Sequence, residues 1–145
     1  MGTRSMIAFD NGDEVYAIYC HWDGYLEYNG KVLLEHYNDL EKVEELMDLG
    51  NISSLGPDIG VKHPFSQFDT TLSTEEYGKL YRNMCCAYGR DRDEKDQEAK
   101  VFATLDEACK HYEWSAFYYM FDGLKWFYRE SLDDNWKELT EEDVK

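Results

Sequence analysis

The chain lacks the motifs by which most enzymes and metal proteins are identified. Its 145 residues contain no P-loop and no GxGxxG, GxSxG or HExxH pattern, so kinase, dinucleotide, hydrolase and zinc-protease chemistry have no motif support. Four cysteines are present, but no two form a CxxC pair, which argues against a zinc ribbon or a disulfide framework. We therefore expect reduced cysteines, no metal and no cofactor.

Long apolar runs are also missing. No segment approaches the length of a transmembrane helix, and the first residues lack the basic and apolar regions of a signal peptide. A myristoylation signal would need Ser or Thr at position 6, where the chain has Met6. We expect a cytoplasmic protein that does not bind membranes.

Positive charge is scarce. Fifteen Lys and Arg residues stand against 31 Asp and Glu residues, which gives a formal net charge of -16. The field of such a chain opposes the approach of nucleic acid and of anionic membranes. We therefore expect no direct nucleic-acid binding, and two classes of partner remain: a basic protein, or a small anion held in a local basic pocket.

Apolar and aromatic residues are plentiful. They make up 43% and 16% of the chain, enough for one hydrophobic core, so we expect a single domain over residues 1–145. Strand-forming residues at 5–10 and 14–20 flank Asn11-Gly12, which predicts a hairpin with a tight turn. A second hairpin is predicted where the turn residues Asp122-Gly123 separate segments 114–121 and 124–131.

Helices are predicted between the hairpins. Residues 30–37 and 39–50 have helical patterns, and in the second Leu40, Val43, Leu46 and Met47 would form one buried face. Residues 51–72, with both prolines, predict a long loop. Capping boxes at 73–76 and 104–107 each predict a helix. The first would bury Tyr77, Leu80, Tyr81, Met84, Cys85 and Tyr88.

The predicted fold class is α+β, with two β-hairpins in one antiparallel sheet and helices packed on one face. Residues 89–100 are charge-dense and predict an exposed loop, and the tail is predicted to end as a helix. The loop is not a calcium site, because Asp96 and Phe102 stand where an EF-hand needs glycine and glutamate. Strand 115–121 is apolar on both faces, which makes a homo-oligomer interface one hypothesis.

The stretch CHWDGYLEYNG at 20–30 is the densest group of candidate functional residues. His21 and Asp23 would share one face of an extended strand end, as a general base and its orienting group do. Alternatively, Tyr25 and Tyr28 could stack on a nucleotide base, with the N–H groups of a helix starting at Asn29 or Gly30 receiving an anion. Equally, the tyrosines could simply cover the sheet edge.

The segments MGTRSMIA at 1–8, YCHWDGYLEYNGKVLLEHY at 19–37 and DLGNISSLG at 48–56 carry a resemblance. They are similar to a family of small bacteriophage proteins with an N-terminal MGTRS strand and a HWDGY…NG…LLEHY segment. The resemblance implies a protein of the host cell cytoplasm that antagonises host machinery or antiviral defence by binding. Its motif places weight on Thr3, Arg4 and Ser5, on residues 21–25, and on Asn29 and Gly30.

Three functions follow from these observations. The first is non-catalytic sequestration of a nucleotide-derived defence signal. The second is an acidic nucleic-acid mimic, of the anti-CRISPR or anti-restriction type, that inhibits a basic host nuclease. The third is an enzyme that uses His21 and Asp23, and we favour the first. Its predicted ligand-binding residues are Thr3, Arg4, Ser5, His21, Trp22, Asp23, Tyr25, Tyr28, Asn29, Gly30 and Lys31. The second would use the carboxylates of Glu41, Glu44, Glu45 and Asp48.

Overall fold

A computed structural model of the chain describes residues 3–61, 73, 75 and 83–144. Its first element is a hairpin of β1 (Ser5–Asp10) and β2 (Val15–Cys20), paired from Ser5↔Cys20 to Asp10↔Val15. The predicted hairpin is therefore confirmed, but its connection is four residues long. The Asn11 side chain accepts hydrogen bonds from two backbone N–H groups of this loop, and of the Asn-Gly pair only Gly12 has positive φ.

Six further strands extend this hairpin into one sheet. They are β3 (Ile52–Ser54), β4 (Cys86–Ala87), β5 (Lys100–Phe102), β6 (Phe117–Phe121), β7 (Trp126–Arg129) and β8 (Lys137–Glu138). The strand order is β4-β3-β2-β1-β6-β7-β8, and β5 pairs with the N-terminal half of β2. The second predicted hairpin, β6–β7, is confirmed and lies in the same sheet as the first.

The sheet is mixed, so the prediction of two hairpins in a purely antiparallel sheet is wrong. β6 pairs with β1 in parallel, from Ser5↔Phe117 to Phe9↔Phe121, and β3 is parallel to β2. Parallel neighbours cannot be joined by a tight turn and need a crossover. The helix that follows β5 provides this crossover. β5 pairs with β2 and β6 pairs with β1, so the chain crosses both strands of the first hairpin between β5 and β6.

Helices cover both faces of the sheet. They are α1 (Lys31–His36), α2 (Leu40–Leu49), α3 (Tyr88–Arg92) and α4 (Leu105–His111), with a π-helical turn at Leu26–Gly30 before α1. α1 and α2 pack on the face that carries Ile7 and Ile18, whereas α4 packs on the opposite face. The prediction of helices on one face is therefore wrong. Because successive strand residues alternate in direction and β1 is apolar on both sides, each face needs a cover.

The predicted buried face of α2 and the predicted cap of α4 are largely confirmed. Val43, Leu46 and Met47 are buried, but Leu40 is 42% exposed despite lying on the apolar side of the pattern. Gly50 ends α2 with φ +82°, and Thr104 caps α4 by accepting a hydrogen bond from the Glu107 backbone N–H. No helix in the described part of the chain is long and apolar enough to cross a membrane.

The segments between α2 and α4 differ most from expectation. β3 lies within the predicted loop 51–72, and β4 interrupts the helix predicted to run to Tyr88. Most of that helix, including Tyr77, Leu80 and Tyr81, lies outside the described residues. Cys85 is buried as predicted, but in a non-helical position.

Two smaller expectations also change. Within 89–100, α3 replaces part of the exposed loop, because the buried Asp91 carboxylate accepts a hydrogen bond from the Ala87 backbone N–H. The tail contains β8 in place of a helix, followed by a turn.

Tyr118 of β6 packs in the core on one face of the sheet, and Tyr119 and Phe121 pack in the core on the other, while Phe117 and Met120 are half-buried. The homo-oligomer interface stays a prediction.

Candidate functional site

The stretch at 20–30 leaves β2 and folds back against the start of β1. The Gly24 N–H donates to the Thr3 carbonyl at 2.7 Å, and the Gly24 carbonyl accepts from the Tyr119 hydroxyl at 2.6 Å. A Cβ at position 24 would lie 2.7 Å from the Thr3 carbonyl oxygen, so only glycine allows this approach. Asp23, with φ +56°, turns the chain into it.

Asn29 is the internal anchor of this loop. Its Nδ2 lies 3.2–3.3 Å from Ser5 Oγ, Cys20 Sγ and the Trp22 carbonyl oxygen. Asn29 and Ser5 are completely buried, and burial raises the pKa of the Cys20 thiol to about 12, which keeps it protonated. Ser5 and Asn29, both predicted to bind ligand, therefore hold the loop closed and are inaccessible.

The predicted anion site at the start of a helix is not formed. Gly30 has helical dihedral angles and continues from the π-helical turn into α1, so no helix begins there with free N–H groups. Lys31 is exposed beside a shallow cleft that also involves Glu27 and Glu35. The negative charges of these two neighbours further reduce the attraction of this position for an anion.

The two tyrosines of the stretch take separate partners. The Tyr25 hydroxyl donates to Asp23 Oδ1, and the Tyr28 hydroxyl donates to the Leu55 carbonyl, both at 3.2 Å. No ring contact between described residues joins either tyrosine to Trp22 or Arg4. The two tyrosine hydroxyls are therefore engaged by Asp23 and Leu55, and no described contact links them to Arg4.

His21 and Asp23 do not form the pair that a general base would need. His21 Nδ1 shares a hydrogen bond with the Tyr19 hydroxyl, while the Asp23 carboxylate accepts from Tyr25. Burial, and secondarily the charge of Arg4, lowers the pKa of His21 below its ordinary value. Burial raises the pKa of Tyr19 to about 12. A protonated phenol and a neutral imidazole therefore share this bond, and the tautomer of His21 sets which of them donates.

A continuous group of ring contacts surrounds this histidine. We call it the aromatic band, and its members are Tyr19, His21, Trp22, Tyr88 and Trp114. Ring centroids are 4.6 Å apart for His21 and Trp22 and 4.9 Å for Tyr19 and Trp114, both edge-to-face. Tyr19 and Tyr88 are parallel at 6.5 Å. The two tryptophans are 39% and 48% exposed, so the band forms part of the surface.

Arg4 gives the aromatic band a positive charge. Its guanidinium carbon lies 5.6 Å from the centre of the Trp114 ring, a cation–π distance. The Arg4 carbonyl accepts a hydrogen bond from the Ala116 N–H at 3.0 Å, which holds the start of β1 beside the chain that follows Trp114. Arg4, His21 and Trp22 are the predicted site residues that the fold brings together.

The predicted site residues do not include Tyr19, Tyr88 and Trp114. The sequence predicts Tyr88 on the buried face of a helix and Trp114 at the start of a strand. They come from β2, the start of α3 and the segment after α4, so no local spacing links them. No signal in the sequence marks them, because the 48% exposure of Trp114 is set by the fold.

The carboxylates predicted to contact a basic protein partner lie on α2. Glu41, Glu44, Glu45 and Asp48 are all exposed along α2. No ion pair between described residues involves any of the four. Lys42, on the same helix, donates from Nζ to the Pro57 carbonyl at 2.6 Å and lies over the Tyr37 ring. In the part of the chain that the structure describes, no group of His, Cys, Asp and Glu residues could hold a metal ion.

No protein-family model, no curated protein and no solved structure matches this chain.

Proposed function

We propose that this chain is a phage accessory protein of the host cytoplasm that sequesters a nucleotide-derived signal of antiviral defence. The aromatic band would hold the base, and Arg4 would pair with the phosphate. The observation that supports this most directly is the guanidinium of Arg4 over the ring of Trp114, which is 48% exposed. Stacking of one base on an aromatic side chain contributes about 1–3 kcal/mol, without a requirement for a particular base.

Binding fits this surface better than catalysis does. Nδ1 of His21 is occupied by Tyr19, and the Asp23 carboxylate is occupied by Tyr25, so neither is poised to move a substrate proton. In the tautomer in which Tyr19 donates to Nδ1, the Nε2–H of a neutral His21 can donate to a phosphate or base oxygen. An arginine adds two parallel donors to a phosphate, which compensates locally for the negative field of the chain.

Isothermal titration with cyclic oligonucleotides and cyclic ADP-ribose isomers tests the proposal. We expect saturable binding of at least one of them, and Trp114→Ala and Arg4→Gln should each weaken it by about tenfold. Leu124→Ala is the matched control, since Leu124 is 86% exposed in the loop at the opposite end of β6. The control should bind like the unmodified chain.

Two results would overturn the proposal. One is the absence of binding by every compound in the set at millimolar concentration. The other is a loss of affinity caused by Tyr25→Phe and Lys31→Gln but not by Trp114→Ala, which would place the ligand at Tyr25 and Lys31 and not at the aromatic band.

A second candidate function is an acidic mimic of nucleic acid that blocks a basic host nuclease. It is supported by the four exposed carboxylates of α2, which have no ion-pair partner among the described residues. Such a complex should inhibit DNA cleavage by a CRISPR effector or restriction enzyme and weaken steeply with salt. The quadruple variant E41Q/E44Q/E45Q/D48N should lose inhibition.

The control for that experiment neutralises four exposed carboxylates elsewhere, in E98Q/E113Q/E130Q/D133N. Equal loss in both quadruple variants would indicate that only the total charge matters. Inhibition that is insensitive to salt would remove this candidate.

A further inference from the structure

A cleft lies between α2 and the two hairpin loops at the far end of the sheet from the aromatic band. We call it the hairpin cleft. It has a volume of about 450 Å³, and its base is apolar, formed by Phe9, Tyr16, Leu40 and Met47. Phe9 and Met47 are nearly buried, but Leu40 is 42% exposed although it lies on the apolar side of α2. Leu40 therefore presents uncovered apolar surface at the cleft.

The rim of the hairpin cleft is acidic on both sides. Glu44 and Asp48 line it from α2, and Asp122 lines it from the loop between β6 and β7. No Lys or Arg is among the described residues that line it. The nearby Lys125 is directed to Glu138 instead, with Nζ 3.2 Å from Oε1. The negative charge at the cleft is therefore not neutralised by a lysine of its own loop.

Carboxylates raise the pKa of Tyr16, which lines the cleft. The largest effect comes from Glu14, which does not line the cleft and whose Oε1 accepts from the Tyr16 hydroxyl at 3.4 Å, and the rim residue Glu44 adds the smallest effect. Asp122 accepts hydrogen bonds from the backbone N–H groups of Leu124 and Lys125 at 2.8 Å, which fixes its carboxylate at the edge of the cleft. The rim therefore presents negative charge in a defined position above an apolar base.

We propose that the hairpin cleft receives an arginine or lysine side chain from a basic segment of a partner protein. Such side chains combine a methylene stem, which would lie on the apolar base, with a cationic head, which would reach Glu44 and Asp48. A nucleic acid or an acidic peptide is repelled by the same rim. A second copy of this chain, with its net charge of -16, is also a poor occupant. This inference rests on the second candidate function and adds the place where the partner is held.

An NMR titration of the isotope-labelled chain with three probes distinguishes the contribution of the methylene stem from that of the positive charge. They are the peptide acetyl-Gly-Gly-Arg-Gly-Gly-amide, the same peptide with norleucine in place of arginine, and guanidinium chloride. We expect saturable shifts with the arginine peptide, confined to the amides of the two hairpin loops and of α2. The norleucine peptide and guanidinium should each bind more weakly, by about fivefold or more, because norleucine lacks the positive charge and guanidinium lacks the methylene stem.

Variants on the two sides of α2 provide the matched control. E44Q/D48N removes the cleft carboxylates and should weaken the arginine peptide by about fivefold. E41Q/E45Q makes the same change in charge on the other side of α2, beside a separate cleft that includes Asp39 and Asp58, and should change affinity less than about twofold. L40R places an arginine at the cleft within the chain itself and should abolish binding of the peptide.

Two outcomes would overturn the inference. If E44Q/D48N and E41Q/E45Q weaken the peptide equally, the attraction is the general field of the chain and not the cleft. If no probe gives saturable shifts, the cleft binds no basic side chain. Nuclease inhibition is measured separately, so a cleft that binds the peptide in a chain that inhibits no nuclease removes the second candidate function and leaves the cleft intact.

Discussion

At the scale of single residues, the HWDGY stretch is built to fit closely against the start of β1. Gly24 donates to Thr3 and accepts from Tyr119, and Asn29 joins Ser5, Cys20 and Trp22. Close packing of this kind tolerates little added volume. The residue pattern of this stretch, from Gly24 to Asn29, can therefore be explained by the fold of the loop itself.

Gly24→Ala should destabilise the protein by about 1–3 kcal/mol, because the new methyl group would meet backbone and Cβ atoms at 2.7–2.9 Å. Thermal or urea denaturation measures the change. Gly89→Ala is the control, since its Cβ would meet nothing closer than 3.7 Å and alanine favours the helix α3. Equal effects of the two substitutions would contradict the close approach at Gly24.

His21 should titrate below the ordinary histidine value near pH 6.5, chiefly because of burial. As pH falls, the unfolded chain then takes up this proton before the folded chain does. The stability tied to His21 is therefore fully present above about pH 6.5 and is lost as pH falls through the window below it.

The same geometry predicts that Arg4→Gln raises the pKa of His21, because it removes a nearby positive charge. An NMR titration of the imidazole resonances measures the shift. Lys31→Gln should leave the value unchanged, since Lys31 is not among the groups that act on His21. An unchanged pKa in the Arg4 variant would show that Arg4 is not beside His21.

At the scale of elements, local signals were most reliable where side chains act on their own backbone. The Asn11 and Asp122 loops and the Thr104 cap each use hydrogen bonds within three residues. The failures include 51–61 and 83–92, where β3 and β4 are short and stabilised by distant strands, and the tail, where the two-residue β8 replaces a predicted helix. Strands of two or three residues leave little periodic pattern to detect.

Thr104→Ala should destabilise the protein by about 1 kcal/mol, because the Glu107 N–H loses its acceptor at 3.2 Å at the start of α4. Denaturation monitored by circular dichroism measures the loss. Thr104→Ser keeps the hydroxyl and should remain close to the unmodified chain. A serine variant as unstable as the alanine variant would indicate that the methyl group, not the cap, is what matters.

At the scale of the whole molecule, the net charge of -16 should make folding sensitive to salt. At 0.1 M ionic strength, repulsion between exposed carboxylates more than about 10 Å apart is largely screened. We expect Tm at pH 7 to rise by a few degrees, roughly 2–5 °C, between low salt and about 0.2 M NaCl.

The control for this prediction is the same pair of measurements at pH 5, closer to the isoelectric point of about 4.5. The net charge is much smaller there, so the dependence on salt should largely disappear. A Tm at pH 7 that is unchanged or lower in salt would contradict self-repulsion as a limit on stability.

The sequence by itself determined the α+β class, both hairpins, the helices α1, α2 and α4, and the excess of negative surface charge. These follow from alternation, helical spacing, capping residues and composition, all of which act between near neighbours or over the whole chain. It also drew attention to Arg4, His21 and Trp22.

Only the tertiary structure decided that β1 lies parallel to β6, that helices cover both faces, and that Arg4 meets Trp114 across more than a hundred residues. It likewise paired Tyr25 with Asp23, placed Lys31 beside Glu27 and Glu35, and buried Ser5 and Asn29. The physical reason is the same in each case. Strand order and the loops that meet at a sheet end depend on packing between distant segments, and no local pattern encodes that packing.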